Sequence, residues 1–357
     1  YESPQRLVRN PVDGLDVVLT LDAELQSIAE SELDRAISQM DADGGDVVFL
    51  DPRSGELLAV ASRAANGAPT SSVFTVAFEP GSTAKLFTAA ALLSHDKVTP
   101  EMTVQVAEAP FRIPGRPAPI SDAKLKPGSY SLAHAIEVSS NIATVKFGQL
   151  LSPEEHYDTL RDFGFDSPTG VELPREAVVR LPPPDRWNPA DHGPSMSMGY
   201  RMQVTPIQLA VAYGAIANDG VLMAPTLVRE IRTAGGEVSY RHQPDTVRRV
   251  VSTEVAATLR EFLDLAAGES GTGGASQLAG YRVAGKTGTS RRVADGRYTE
   301  TYISSFAGLF PAEDPQFVVI VKIENPRGAY YGGETAAPLL KAMLELAPVS
   351  YTHLTLP

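Results

Sequence analysis

The chain contains no cysteine. This absence excludes disulfide bonds, thiolate nucleophiles and cysteine-ligated metal centres. Histidine is also sparse, and the six histidines are spread along the chain without the short spacings of a metal-ligand motif. We therefore expect neither a metal site nor a cofactor.

Positive charge and long apolar runs are lacking as well. The net charge is -12, which argues against a nucleic-acid partner because such proteins concentrate Lys and Arg. No stretch reaches the roughly 20 consecutive apolar residues that span a bilayer. The chain begins at Tyr1 rather than at Met. We expect any membrane anchor to precede it.

What is present indicates an ordinary globular protein. The 357 residues are 43% hydrophobic and 21% charged, which fits one large domain plus a smaller piece. Apolar runs bounded by turn residues predict five strands, at 46–50, 57–61, 281–286, 302–310 and 316–323. Helical periodicity predicts helices at 25–40, 86–93, 132–151, 206–217, 253–266 and 336–346.

The order of these elements predicts the fold class. An early hairpin, a long middle region, three late strands and a closing helix indicate an α/β protein of the α+β type. We expect an antiparallel five-stranded sheet flanked by helices, with a helical subdomain inserted at about 97–250. That segment contains too many prolines for a continuous sheet, so we interpret it as helices and loops.

One short stretch, residues 78–85, has the composition of a nucleophile site. Pro80 and Gly81 break the preceding structure, and the apolar run after Lys85 predicts a buried helix. Ser82 then lies in the first turn, with Lys85 three residues on along the same face. A desolvated lysine loses its proton near neutral pH and activates a serine, and the helix N-terminus offers N–H groups to developing negative charge.

Taken alone, this pattern is weak. A Ser and a Lys at this spacing are more often a helix cap and a solvated side chain, and the chain has a second copy, Ser94 to Lys97. Two further motifs strengthen the first copy: Ser139-Ser140-Asn141, and Lys286-Thr287-Gly288-Thr289 at the end of a late strand. S-x-x-K, S-D-N and K-T-G together mark serine acyl enzymes of the β-lactamase and penicillin-binding group, although Ser140 stands where that middle motif has Asp.

On these motifs the chain resembles the transpeptidase domain of class B penicillin-binding proteins, especially the cell-division branch. The similarity extends over nearly the whole chain, including residues 10–14, 163–165, 198–200, 204–210 and 331–338. Two positions depart from the family pattern. Leu86 replaces the usual proline after the motif lysine, and Arg201 replaces a frequent glycine.

The resemblance implies a role for each site residue. Ser82 is the nucleophile, Lys85 its base, and Ser139 relays a proton to the leaving amine. Asn141 holds the donor peptide, Lys286 supplies positive charge beside its carboxylate, and Gly288 leaves room for it. Thr287 and Thr289 offer hydroxyls to that carboxylate, and the backbone N–H groups of Ser82 and Thr289 form the oxyanion hole.

The resemblance also implies domains, partners and location. We expect the remnant of an N-terminal pedestal and a lead-in helix at 1–42, the transpeptidase domain at 43–348, and a tail at 349–357 that need not be native. The expected ligands are peptidoglycan stem peptides and β-lactam antibiotics, and the expected partner is a glycan-polymerising protein of the division machinery. The domain would lie outside the cytoplasm, on a membrane-anchored protein.

Two other functions stay open at the level of sequence. One is a serine β-lactamase or D,D-carboxypeptidase, which shares the three motifs but passes the acyl group to water. The other is a non-catalytic penicillin-binding receptor or scaffold.

Overall fold

The computed structural model describes residues 14–107, 110–124, 126–294 and 296–347. Most of the similarity at 10–14, the first 13 residues of the predicted N-terminal segment 1–42, and the predicted tail at 349–357 lie outside these residues. Within them, none of the helices combines the length and the apolar character needed to cross a membrane.

Strands and helices are interspersed along the described part of the chain. The strands are β1 (Asp16–Leu19), β2 (Gly44–Leu50), β3 (Leu57–Ala64), β4 (Thr103–Val106), β5 (Gly128–Ser131), β6 (Val221–Met223), β7 (Val228–Arg232), β8 (Val238–Arg241), β9 (Thr246–Arg249), β10 (Ala284–Ala294), β11 (Arg297–Phe310) and β12 (Phe317–Glu324). The helices are α1 (Ala23–Met40), α2 (Ser72–Thr75), α3 (Lys85–Ser94), α4 (Leu132–Glu137), α5 (Asn141–Gly148), α6 (Pro153–Asp162), α7 (His192–Ser197), α8 (Pro206–Ala217), α9 (Thr253–Ala267) and α10 (Ala336–Leu346).

The predicted five-stranded sheet is confirmed. Its order is β10-β11-β12-β2-β3, and every neighbouring pair is antiparallel. The three late strands form a meander, and β12 pairs with β2 of the early hairpin. This pairing joins the two ends of the domain in one sheet and leaves β10 as an edge strand.

Helices cover both faces of this sheet. Successive residues of a strand point to opposite faces, so Val47 and Val319 pack with α1 and α10, whereas Val48 and Ile320 pack with α3 and α8. Because both faces are buried, β2 and β12 are almost continuously apolar. The helices α3, α5 and α8 belong to the larger of the two apolar cores.

The inserted region is more varied than its proline content predicts. The expectation of helices and loops alone at 97–250 is wrong, because six short strands form there. They pair as β4 with β5, as β6 with β9, and as β8 with β7, which also pairs with β1. Prolines exclude a long strand but leave room for strands of three to five residues between them.

The single helix expected at 132–151 is divided. The first part, α4, ends at Glu137, and α5 begins at Asn141. Between them Ser139 has a φ of 58°, a left-handed conformation that no helix accommodates. Ser140 then caps α5 by accepting a hydrogen bond from the N–H of Ala143.

We predict that a histidine in the larger core makes the fold sensitive to acid. His156 of α6 is fully buried beside Thr88 and Trp187, and this burial lowers its pKa to about 4. The unfolded chain binds the proton near pH 6.5, so stability is complete above that pH and is lost as the pH falls towards 4. The free energy of unfolding from urea titrations should fall by about 3 kcal/mol across this window from this residue.

The matched variant His156→Gln keeps an uncharged hydrogen-bonding side chain and removes the titration. It should show a shallower acid dependence than the wild type. Identical slopes between pH 6.5 and 4 would contradict the assignment.

Candidate active site

Ser82 lies in a tight turn that feeds directly into α3. Residues Gly81–Ala84 form a 3-10 turn, and the N–H of Lys85 donates to the carbonyl of Ser82. Side chains three residues apart eclipse in a 3-10 helix, so Ser82 and Lys85 lie on one face. Ser82 is partly exposed, whereas Lys85 and the apolar residues after it are buried, as the sequence predicts.

Several hydrogen bonds fix this turn from different sides. Gly81 donates its N–H to the Gly199 carbonyl at 3.1 Å, and Tyr213 of α8 donates its hydroxyl to the Thr83 carbonyl at 2.8 Å. Gly81 also has a φ of 54°, and a Cβ at this position would come within 2.9 Å of the Thr289 carbonyl oxygen. Only glycine lets the turn approach β10 this closely.

The Lys85 amine contacts the segment between α4 and α5. It donates to the backbone carbonyl of Ser139 at 2.6 Å and to the Ser139 hydroxyl at 3.2 Å. Complete burial lowers the pKa of Lys85 to about 7, although the charge of Asp122 opposes part of this shift. An amine with this pKa is about half neutral at pH 7, which is the condition for a general base.

The other two residues of the middle motif differ in exposure. Asn141 is half-buried and donates its side-chain amide to the carbonyl of Ser121 at 2.8 Å. Ser140, to which the sequence assigned no role, is buried and donates to the Asp122 carboxylate at 2.7 Å. The motif is therefore supported by a loop about 20 residues earlier in the chain.

Lys286 reaches the same centre from β10. It is fully buried, and burial together with the nearby charge of Lys85 lowers its pKa well below the ordinary value. Its amine donates to the carbonyl of Thr287 at 3.3 Å. The structure thus brings Ser82, Lys85, Ser139 and Lys286 together from three separate segments.

The two threonines of the third motif already have partners. The Thr287 hydroxyl lies 2.6 Å from that of Thr272, and the Thr289 hydroxyl accepts the N–H of Gly332 at 3.2 Å. The expectation that this motif closes its strand is wrong, because β10 continues to Ala294. Pairing with the long strand β11 extends it beyond the apolar residues that the sequence pattern identified.

Gly288 is required by the packing of the protein itself. A Cβ there would lie 2.2 Å from the Ser305 hydroxyl and 2.9 Å from the Pro80 carbonyl oxygen. The expectation that Gly288 also leaves room for a ligand strand alongside β10 stays a prediction. The missing side chain lets β10 pack against the turn that carries Ser82.

Sequence reasoning missed a buried acid beside the nucleophile turn. Glu79 accepts the N–H of Arg201 at 2.9 Å and the Tyr298 hydroxyl at 3.2 Å, and burial raises its pKa. Arg201 has a φ of 62°, which explains why the family often has glycine there. The cluster ties the start of the turn to the hairpin between β10 and β11.

The second Ser-x-x-Lys copy lies away from this centre. Ser94 ends α3, and Lys97 forms an ion pair with Glu155 at 2.7 Å. The second copy thus lies at a helix end and in an ion pair, which is a structural arrangement. Among the described residues, no group of three or more acidic or histidine side chains is placed to hold a metal ion.

Comparison with known proteins agrees with this geometry. The model of the penicillin-binding protein transpeptidase domain matches residues 45–345. Stage V sporulation protein D of Bacillus subtilis is 35% identical over 92% of this chain and 53% of its own length. PbpB of Mycobacterium tuberculosis is 32% identical over 92% of this chain and 51% of its length. The chain thus spans about half the length of these curated relatives.

Solved structures extend the comparison to the fold. The transpeptidase domain of penicillin-binding protein 3 from Burkholderia pseudomallei has a TM-score of 0.83 and 31% identity, covering 95% of this chain and 98% of that one. Penicillin-binding protein 3 of Mycobacterium tuberculosis, complexed with aztreonam, has a TM-score of 0.87 and 30% identity over 99% and 82% of the two chains. The chain therefore belongs to the transpeptidase domain family of class B penicillin-binding proteins.

Proposed function

We propose that the chain is the catalytic domain of a peptidoglycan D,D-transpeptidase. The observation that carries the proposal is Lys85, a buried amine whose pKa is about 7, on the face of the turn that presents Ser82. The family membership and the relatives named peptidoglycan D,D-transpeptidase support it.

The reaction has two steps. The Ser82 hydroxyl attacks the carbonyl between the two terminal D-alanines of a stem peptide, and neutral Lys85 takes the hydroxyl proton. The peptide bond breaks, and the departing D-alanine amine receives a proton through Ser139. An amine of a second stem peptide then attacks the acyl-serine, loses a proton to the same groups and releases Ser82.

The remaining motif residues bind the donor peptide. The N–H groups of Ser82 and Thr289 stabilise the oxyanion, a contribution of about 3 kcal/mol for one donor in other acyl-transfer enzymes. The Thr289 hydroxyl accepts a hydrogen bond from the Gly332 N–H, so its own proton can be donated to the terminal carboxylate of the donor peptide. Thr287, two residues earlier on the same strand, is the second hydroxyl of this motif. Asn141 binds the peptide backbone.

Lys286 acquires its role only when the site is filled. Burial favours the neutral amine in the empty site, and a carboxylate bound nearby favours the charged form. We propose that donor binding is coupled to protonation of Lys286. Recognition of the carboxylate then includes a charge that appears on binding.

Transpeptidation is preferred over hydrolysis or a receptor role because the similar proteins include several named as transpeptidases. A β-lactamase or D,D-carboxypeptidase passes the acyl group to water, and a receptor retains it. The similarity to proteins named as transpeptidases covers more than 90% of this chain. A penicillin label that persists for hours fits a transpeptidase or receptor, and crosslinking of stem peptides by the full-length protein separates these two.

We also propose a place in the cell for the domain. Peptidoglycan lies outside the cytoplasmic membrane, so the domain acts there, carried by a longer, membrane-anchored protein. Thr287 in the third motif and Met198-Gly199-Tyr200 favour the division branch, with a glycan-polymerising partner at the septum. Depletion of the protein should then give filaments, whereas rounded cells would indicate the elongation branch.

Labelling with a fluorescent penicillin tests the choice of nucleophile. We expect Ser82→Ala to abolish covalent labelling, because it removes the proposed nucleophile, and peptide mapping of the labelled wild type should identify Ser82. Ser94→Ala is the matched control and should label at the wild-type rate. Labelling of Ser82→Ala together with loss of labelling in Ser94→Ala would reverse the assignment.

The pH dependence of acylation tests the role of Lys85. Only the neutral amine accepts the Ser82 proton, so the second-order rate constant should rise with pH and level off above about 7. Below that pH it should fall about tenfold per unit, as the neutral fraction does. A rate constant that does not change between pH 5.5 and 8.5 would exclude Lys85 as the base.

A further inference from the structure

The loop at 121–122 contacts Ser140, Asn141 and Ile142 at the start of α5. Asp122 accepts the backbone N–H groups of Asn141 at 2.5 Å and Ile142 at 3.0 Å with one carboxylate oxygen. Its other oxygen accepts the Ser140 hydroxyl at 2.7 Å. One side chain thus binds three consecutive residues that lie almost 20 positions away in the chain.

This carboxylate completes the cap of the helix. The first N–H groups of a helix have no partner within it, and here Asp122 accepts two of them while Ser140 accepts the third, from Ala143 at 3.0 Å. Ser140 therefore accepts from the helix and donates to Asp122. Capping by an acid is also favourable because the N-terminus of a helix carries partial positive charge.

The same contacts hold a strained residue in place. Ser139 has a φ of 58°, a left-handed conformation that is unfavourable for serine and persists only where the neighbouring structure enforces it. On one side the Ser140 N–H donates to the Ala135 carbonyl of α4 at 2.9 Å. On the other side Asp122 holds Ser140 and Asn141. In this conformation the Ser139 carbonyl and hydroxyl both meet the Lys85 amine.

Asp122 is also the negative charge that acts on Lys85. It opposes the effect of burial and keeps the pKa of Lys85 near 7. The elements around Lys85 carry other titratable groups as well. Among the described residues these include Lys286 on β10, the hydrogen-bonded pair His134 and Glu137 on α4, and the buried His156 on α6.

We propose that Asp122 is a positioning residue of the acyl-transfer site. Its carboxylate holds the segment 139–141 in place and supplies the negative charge that acts on Lys85. Related enzymes with an S-D-N motif carry a carboxylate in the middle of the motif, where this chain has Ser140. Here the carboxylate comes from a distant loop and touches Ser140 instead. The inference rests on the proposed roles of Lys85 and Ser139.

Two substitutions separate the negative charge of Asp122 from its hydrogen bonds to the start of α5. Asp122→Asn keeps an oxygen for the N–H groups of Asn141 and Ile142 but removes the charge, so Lys85 should lose its proton more easily. We expect the midpoint of the pH–acylation profile to move down by about one unit, with the plateau rate within about threefold of wild type. Asp122→Ala removes both functions, and its plateau should fall about 10–100-fold, as for other residues that orient reactive groups.

Two further variants serve as controls. Ser140→Ala loses one contact to Asp122 but keeps the charge, so its rate should fall while the midpoint stays in place. Asp158→Asn removes a carboxylate on the exposed surface of α6 and should match the wild type in both quantities. Melting temperatures of all variants show which of them fold. If Asp122→Ala does not fold, the test rests on Asp122→Asn alone.

The outcomes distinguish this inference from the function on which it rests. A wild-type protein that no penicillin labels at Ser82 would remove the proposed function. A labelled wild type with Asp122→Asn unchanged in midpoint, or shifted to higher pH, would overturn the role of Asp122 alone.

Discussion

The proposed chemistry of this domain depends on the removal of a lysine amine from water. Lys85, the first residue of α3, is completely buried, and desolvation lowers its pKa to about 7. Such a shift costs several kcal/mol of stability at neutral pH, since each unit is worth about 1.4 kcal/mol. The two apolar cores that cover both faces of the sheet supply the packing that sustains this cost.

Close backbone approach fixes the turn that carries Ser82. Gly81 and Gly288 each lack the Cβ that would separate the nucleophile turn from β10, and each is contacted where a side chain would stand. The turn therefore packs against the backbone of β10 on one side and accepts a hydrogen bond from Tyr213 of α8 on the other. The position of the nucleophile turn therefore follows from close packing of backbone against backbone.

The sequence predicts the three motifs of the site better than it predicts the contacts that hold them in position. Pro80-Gly81, the apolar helix and the late strands follow local rules, so the sheet and the three motifs could be placed from the pattern alone. Asp122 could not, because its contacts with α5 span about 20 residues that no periodicity links. Likewise, the break at Ser139 depends on those contacts, and the role of Gly288 depends on packing between segments some 200 residues apart.

A direct titration of Lys85 tests most sharply whether burial makes it the base. In protein labelled with 15N at the lysine side chains, the Lys85 signal is assigned by its loss in Lys85→Arg. We predict that it titrates with a midpoint near pH 7, well below the value of about 10.4 for a lysine amine free in water. A Lys85 signal that titrates near the free-amine value would show a charged amine at neutral pH, and would contradict general-base catalysis by Lys85.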